Sequence, residues 1–128
     1  MYLIKKIISK EIIAENLISN NENIGGEVIF LGKVRADKFD DKIVRSLEYS
    51  AYESMAEKKF ENVKNIILQK YSDIKEITIL HRIGIIKINE IALMVILKGG
   101  HRKQAFKGMD EIVNLIKEKV PIWKKEIF

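Results

Sequence analysis

The single proline among 128 residues, Pro121, fixes where the last helix of this chain must stop. Proline has no N–H to donate and its ring clashes with the preceding turn, so the helix carrying Lys117 ends near Val120 and an extended segment follows. Lys117 and Lys124 therefore flank a corner. Two ammonium groups near one corner repel unless an anion lies between them or one loses its proton. The corner thus reads as an anion site or an activated amine, with a solvated C-terminal segment as the plain alternative.

The length suits one domain, expected over residues 1–128, with enough chain to bury a core. Hydrophobic residues at 47% and charged residues at 32% fit a globular chain rather than a disordered one. Without cysteine, disulfides, thiolate metal sites and a cysteine nucleophile are excluded, and any sulfur chemistry must borrow its sulfur. His81 and His101 are too few for a histidine-rich metal site. The N-terminal apolar residues are broken by Lys5, Lys6, Lys10 and Glu11, unlike a signal peptide. The longest apolar run, Ile91 to Leu97, is far below the ~20 residues that cross a bilayer, so a cytoplasmic location is expected.

A net charge of +5 favours an anionic partner: nucleic acid, a membrane surface or a small phosphorylated ligand. Most lysines alternate with acids, as from Glu57 to Lys64, which describes a solvated helix face. No basic run carries the interleaved aromatics that bind single strands.

Strand and helix patterns alternate along the chain. Tyr2 to Ser9 is β-like, and Ser9 can cap a short helix to about Ser19 that buries Ile12, Ile13 and Leu17. After a polar turn, Gly26 to Val34 reads as a strand, Ala36 to Lys42 as a charged loop, and Ile43 to Tyr52 as a second strand. Met55, Ala56, Phe60, Val63 and Ile67 have helical spacing, and the helix runs to about Tyr71. Strands over Ile74–Ile83 and Ile91–Lys98 precede the Gly99-Gly100 break. The last helix starts near His101, with an apolar stripe of Ala105, Phe106, Met109, Ile112, Val113 and Ile116 and with Lys117 on its rim. The pattern predicts an α+β fold, a mostly antiparallel sheet with helices packed on one side.

Gly99-Gly100-His101-Arg102 sets backbone N–H groups, an imidazole and a guanidinium at a helix start, where an anion is favoured; a plain turn is the alternative. Strand alternation points Lys33 and Arg35 to one face, as an anion site or as a charged edge strand guarded against pairing. His81-Arg82 lies in an apolar strand and reads as structural. Lys124 and Glu126 share a side of the terminal extended segment and can pair there. Trp123, opposite them, reads as a core or dimer-interface anchor.

Five blocks in order, Gly32-Lys33-Val34-Arg35, Glu48 to Tyr52 with Met55-Ala56, His81 to Gly84, His101-Arg102 with Ala105-Phe106, and Lys117 through Pro121 to Glu126, resemble the large, catalytic subunits of molybdopterin synthases. The resemblance runs from about Gly25 to Glu126. It implies an α/β-hammerhead-like fold and a sulfurtransferase of molybdenum cofactor biosynthesis. Such an enzyme converts cyclic pyranopterin monophosphate (precursor Z) to molybdopterin by installing two dithiolene sulfurs, and needs no resident cofactor. It further implies a small ubiquitin-like sulfur-carrier subunit whose C-terminal Gly-Gly thiocarboxylate enters the large subunit. Two large subunits form a homodimer with a carrier at each end, a heterotetramer.

By the same resemblance, Lys117 matches the essential active-site lysine and Lys124 a second pocket lysine. Arg35, His101 and Arg102 match residues that bind the substrate's phosphate and pterin, with Lys33, Lys125 and Glu126 beside them. A cationic pocket of this kind stabilises negative charge during transfer. Two departures stand out: relatives often continue beyond the block that here stops at Phe128, and Gly99-Gly100 replaces a small residue and alanine. A basic nucleic-acid-binding module and a non-catalytic scaffold of the same fold are the competing readings. The first would depend on lysines spread over a face, the second on loss of the pocket residues.

Overall fold

The computed structural model describes residues 1–128. In chain order the elements are β1 (Leu3–Ile4), α1 (Lys10–Leu17), β2 (Gly26–Lys33), β3 (Lys38–Phe39), β4 (Lys42–Ile43), β5 (Ser46–Ala51) and α2 (Glu53–Lys70). They continue with β6 (Ile74–Arg82), β7 (Gly84–Lys87), β8 (Ile91–Gly99), α3 (Arg102–Lys119) and β9 (Ile122–Ile127).

The apolar run from Ile91 becomes β8 because it is paired along both edges and covered on both faces. The main sheet has the order β1-β6-β8-β2, antiparallel except for the parallel β1–β6 pair. Alternation sorts β8 into two faces. Leu93, Val95 and Leu97 join Phe60, Val63 and Ile67 of α2 and Met109, Ile112 and Ile116 of α3 in the principal core. Met94 and Ile96 meet Ile8 on the other face, flanked by Ile12, Ile13 and Leu17. The α+β class holds, with both long helices on one side and the short α1 adding cover on the other. Lys98, buried on the α1 side, lies 3.4 Å from Glu27 and 3.9 Å from Glu76, the arrangement a buried charge requires.

A second sheet, β7-β5-β9, carries the chain's C-terminal segment. Gly84, at φ 103°, turns the chain out of β6 into β7, a conformation that an L side chain resists. Val34, Val44, Leu47, Ile86 and Ala92 form a small core between the sheets.

Several sequence expectations change. Only Leu3–Ile4 of the N-terminal stretch is strand. The charged loop contains part of the β3–β4 hairpin, turned at Asp40 with φ 54°, and the expected strand from Ile43 is interrupted before Ser46. The sequence pattern missed β7. Residues Ile12, Ile13 and Leu17 are half-buried rather than buried, because α1 is a single short layer with solvent beyond it.

Ser9 caps α1 by accepting from the Ile12 N–H at 3.3 Å. In α3, Lys117 and Lys119 sit in the last turn, where cations suit the helix dipole. Phe106 leaves the expected stripe and is 60% exposed, while Gly108 is buried in its place. At about 100° per residue the sheet-facing arc is centred between Ala105 and Ile112, and Phe106 lies beyond its margin. A Cβ on Gly108 would stand 2.5 Å from Ile74 Cδ1 and 3.3 Å from Leu97 Cδ1, so the missing side chain sets how closely α3 approaches the sheet.

Gly108→Val should therefore destabilise the protein by about 1–3 kcal/mol in urea unfolding, an overpacking cost exceeding the small gain in helix propensity. A stability unchanged from wild type would mean that α3 shifts freely. The second expectation concerns His81, which burial pushes below its ordinary 6.5 against a smaller opposing pull from the Arg82 carbonyl. The unfolded chain then binds the extra proton more readily. The stability is fully present above the unfolded pKa and is lost as pH falls through the depressed folded value. Urea midpoints measured from about pH 7.5 to about pH 5 should drop in wild type and drop less in His81→Gln. Equal slopes would assign the acid sensitivity to carboxylates instead.

Candidate functional site

The pairing of β9 with β5 builds the floor of a small cavity. Register sets Lys124 opposite Tyr49 and Glu126 opposite Leu47. Residues two apart on a strand share a face, so these four side chains point the same way. Lys33 and Arg35 reach the same place from the end of β2. Val34 between them is 2% exposed and anchored in the small core, its N–H donating to the Glu90 carbonyl at 3.2 Å, which turns its two neighbours outward. A register shift at Gly32/Lys33 re-aims the strand at this point.

The resulting cavity of about 120 Å³ is lined by Lys33, Arg35, Asp37, Phe39, Val44, Leu47, Tyr49, Lys124 and Glu126. Three cations outnumber two carboxylates. Arg35 meets Asp37 at 3.4 Å, and its side chain remains 82% exposed, so the guanidinium is available to an anion. Burial, with the Glu126 charge adding to it, pushes the Tyr49 phenol above its ordinary value. Lys124 and Glu126 share the cavity as alternation suggests.

The other residues singled out from the sequence lie elsewhere on the chain. Lys125 falls on the opposite face of β9, in register with Glu48. Trp123 is 58% exposed, so it is not a core anchor. Lys117 is exposed on the last turn of α3 and lies outside the cavity lining. His101 and Arg102 stand at the far end of the main sheet, since Gly99 pairs with Gly26 while Ile91 pairs with Lys33. Seven strand steps at ~3.4 Å separate those ends by about 24 Å.

At that far end the His101 N–H donates to Asp73 Oδ2 at 2.7 Å, and the ring Nδ1 lies 3.3 Å from the same oxygen. Burial alone would raise the Asp73 carboxyl, but the His101 hydrogen bonds and charge outweigh it and hold the carboxyl below its usual range. The Arg102 side chain is exposed beside Gly26, whose missing Cβ would lie 4.0 Å from the Arg102 backbone nitrogen. His81 and Arg82 are internal, as their strand suggested. The imidazole Nδ1 is 2.8 Å from the Arg82 carbonyl, and the guanidinium pairs with Glu90 at 3.1 Å.

Sequence reasoning missed Tyr49, Leu47, Val44, Phe39 and Asp37 as cavity residues. Alternation marked Tyr49 and Leu47 as sharing a face, but only the pairing of β5 with a strand more than seventy residues later shows what that face meets. No group of three or more histidine and carboxylate side chains is placed to hold a metal ion, and no helix is long and apolar enough to cross a membrane.

Known proteins resemble this chain in sequence and in fold. The family model described as MoaE protein matches residues 5–119. The molybdopterin synthase catalytic subunit of Dictyostelium discoideum is 38% identical over 125 residues, covering 91% of this chain and 78% of its own. That of Pyrococcus abyssi is 39% identical over 108 residues, covering 84% and 72%. Among solved structures, molybdopterin synthase from Staphylococcus aureus superposes with a TM-score of 0.89 at 36% identity, over 99% of this chain and 90% of that one. A complex of subunits 1 and 2 of molybdopterin-converting factor from Helicobacter pylori shares the fold, with a TM-score of 0.78 at 21% identity, over 98% and 82%. With a family model over most of its length and relatives this similar, the chain belongs to the MoaE family of molybdopterin synthase catalytic subunits.

Proposed function

We propose that this enzyme moves sulfur from the C-terminal thiocarboxylate of a small carrier subunit to cyclic pyranopterin monophosphate, twice per molybdopterin, at a site assembled from two copies of the chain. The Helicobacter pylori protein of the same fold is a complex of two subunits, in keeping with a separate carrier. The observation that carries the two-copy reading is the split of the cationic residues between opposite ends of one sheet whose edge strand between them is free.

That edge is β2, which pairs only with β8. Ile29 and Phe30, 40% and 36% exposed, lie at its middle, and nothing guards the strand against pairing there. A two-fold axis perpendicular to the sheet at this point would run two β2 strands antiparallel. It would bring the Gly26 end of one copy, with His101 and Arg102, to the Lys33 end of the other. Centred on Phe30, the pairing sets Glu27 of one copy opposite Lys33 of the next.

Helix α3 fits the same seam. Glu111 accepts from Lys70 and Tyr71 of the α2 side, each at 2.8 Å, which fixes one flank of α3. At about 100° per residue, Arg102, Phe106, Val113 and Lys117 fall on the other flank, above β2. Two such helices related by the axis would lie about 10 Å apart, an ordinary packing distance, covering Phe106 and bringing Arg102 of one copy toward Lys117 of the other.

In this site His101, Arg102 and Arg35 hold the substrate phosphate, and Lys33 adds charge beside them. Lys124 faces the carrier terminus in the small cavity, and Lys117 stands between the two. Each transfer forms a bond from carrier sulfur to a substrate carbon as a carbon–oxygen bond at that carbon breaks, its oxygen leaving on the opened phosphate or, once protonated, as water. The acyl–sulfur bond then breaks as water supplies the oxygen that leaves the carrier a carboxylate. The clustered ammonium and guanidinium groups stabilise the anionic charge that develops at both centres.

Molybdopterin formation from cyclic pyranopterin monophosphate and thiocarboxylated carrier tests the activity. Lys117→Ala should lose at least about 100-fold in rate while folding normally, since the residue is exposed at the rim of the helix. Product from the variant at the wild-type rate would remove Lys117 from the chemistry. Mixing Lys117→Ala with Arg102→Ala tests the assembly. Random reassortment makes half the dimers mixed, each with one intact site, so about a quarter of wild-type activity should return. No recovery after demonstrated exchange would mean that both residues serve the same chain's site.

A further inference from the structure

We infer that the Tyr49 hydroxyl holds the oxygen of the carrier's terminal thiocarboxylate and thereby turns its sulfur toward the substrate. This rests on the transfer reaction proposed above and adds a residue to it. Tyr49 faces Lys124 across the β5–β9 pair and lines the same cavity as Lys33, Arg35 and Glu126. The cavity, about 120 Å³, admits the narrow end of a glycine chain between the apolar walls of Val44 and Leu47.

The ring is fixed and its hydroxyl is free. Tyr49 stands edge-on to His81, with ring centres 5.0 Å apart and planes at 71°. His81 is held in turn through the Arg82 carbonyl at 2.8 Å. Tyr2 and Tyr71 give their hydroxyls to Glu61 and Glu111, whereas no protein group takes that of Tyr49. Burial and the Glu126 charge keep the phenol protonated, so it remains a donor throughout the working pH range.

Donor type decides what such a group selects. A thiocarboxylate offers one oxygen and one sulfur, and sulfur is the weaker hydrogen-bond acceptor. A rigid O–H therefore takes the oxygen. The lysines and Arg35 sit on flexible, exposed stems, supplying charge without a fixed direction. Orientation comes from the tyrosine and neutralisation from the cations. With its oxygen held against Tyr49, the group presents its sulfur to the cavity mouth.

Tyr49→Phe keeps the ring against His81 and removes only the hydroxyl. In the assembled enzyme with thiocarboxylated carrier, single-turnover sulfur transfer at saturating carrier should slow about tenfold to a hundredfold, the loss expected for a hydrogen bond to a charged group. The carbon–oxygen stretch of a carrier labelled with ¹³C at its terminus should sit at higher frequency in the variant complex than in wild type. Packing alone would not move that band. Unchanged rate and unchanged band would overturn the assignment.

A wild-type measurement guards against a variant that fails to fold. The ¹³Cζ resonance of Tyr49 should move when thiocarboxylated carrier is added, and a resonance that stays in place overturns the assignment. The two spectroscopic readings need only a bound carrier. Absence of turnover in wild type would therefore count against the transfer reaction, separately from Tyr49.

Discussion

The rest of the molecule depends on β8 being paired on both edges and covered on both faces. From Ala92 to Gly99 every residue of this strand is buried, and its neighbours β6 and β2 are antiparallel to it along most of its length. A buried strand must satisfy all its N–H and C=O groups, so its two partners are obligatory. Leu93, Val95 and Leu97 demand the long helices on one face; Met94 and Ile96 demand the N-terminal segment on the other. The ends of that strand then fix the positions of the cations. Gly99 delivers His101 and Arg102 to one pole of the sheet, and the pairing of Ile91 with Lys33 carries Lys33 and Arg35 to the other.

The second sheet converts this frame into a site. Pro121 forbids α3 to continue, and its carbonyl accepts from the Tyr52 N–H at 3.2 Å, so the chain leaves the helix directly onto β5. Register then puts Lys124 against Tyr49 and Glu126 against Leu47, with Lys125 and Trp123 turned away. A slip by one residue would exchange the two sets, removing Lys124 and Glu126 from the cavity. The fixed aromatic ring and the exposed cations have separate uses in one small space, direction from the first and charge from the second.

Much of this was legible in the sequence because it follows from local periodicity. The long helices, the buried strand, the Ser9 cap and the stop at Pro121 each depend on neighbours within a few residues. Failures fall where that condition lapses. Phe106 had helical spacing but sits past the margin of the arc that faces the sheet, and Gly108, which has no apolar side chain to mark it, is the residue pressed against Ile74 and Leu97. The short strand β7 escaped notice because two of its four residues, Gly84 and Lys87, carry no strand signal and its existence rests on β5.

By itself the sequence determined the element types, the α+β class, the basic residues at Lys33, Arg35, His101, Arg102, Lys117 and Lys124, and a family resemblance carried by five blocks in order. Those are properties of residue identity and spacing. Tertiary structure decided which of the residues meet. It joined Lys33 and Arg35 to Lys124 and Glu126 around Tyr49, sent His101 and Arg102 about 24 Å away, and left Lys125 on the far face. The physical reason is that pairing between distant strands sets both the face and the end of the sheet that a side chain reaches, and no local pattern encodes that register.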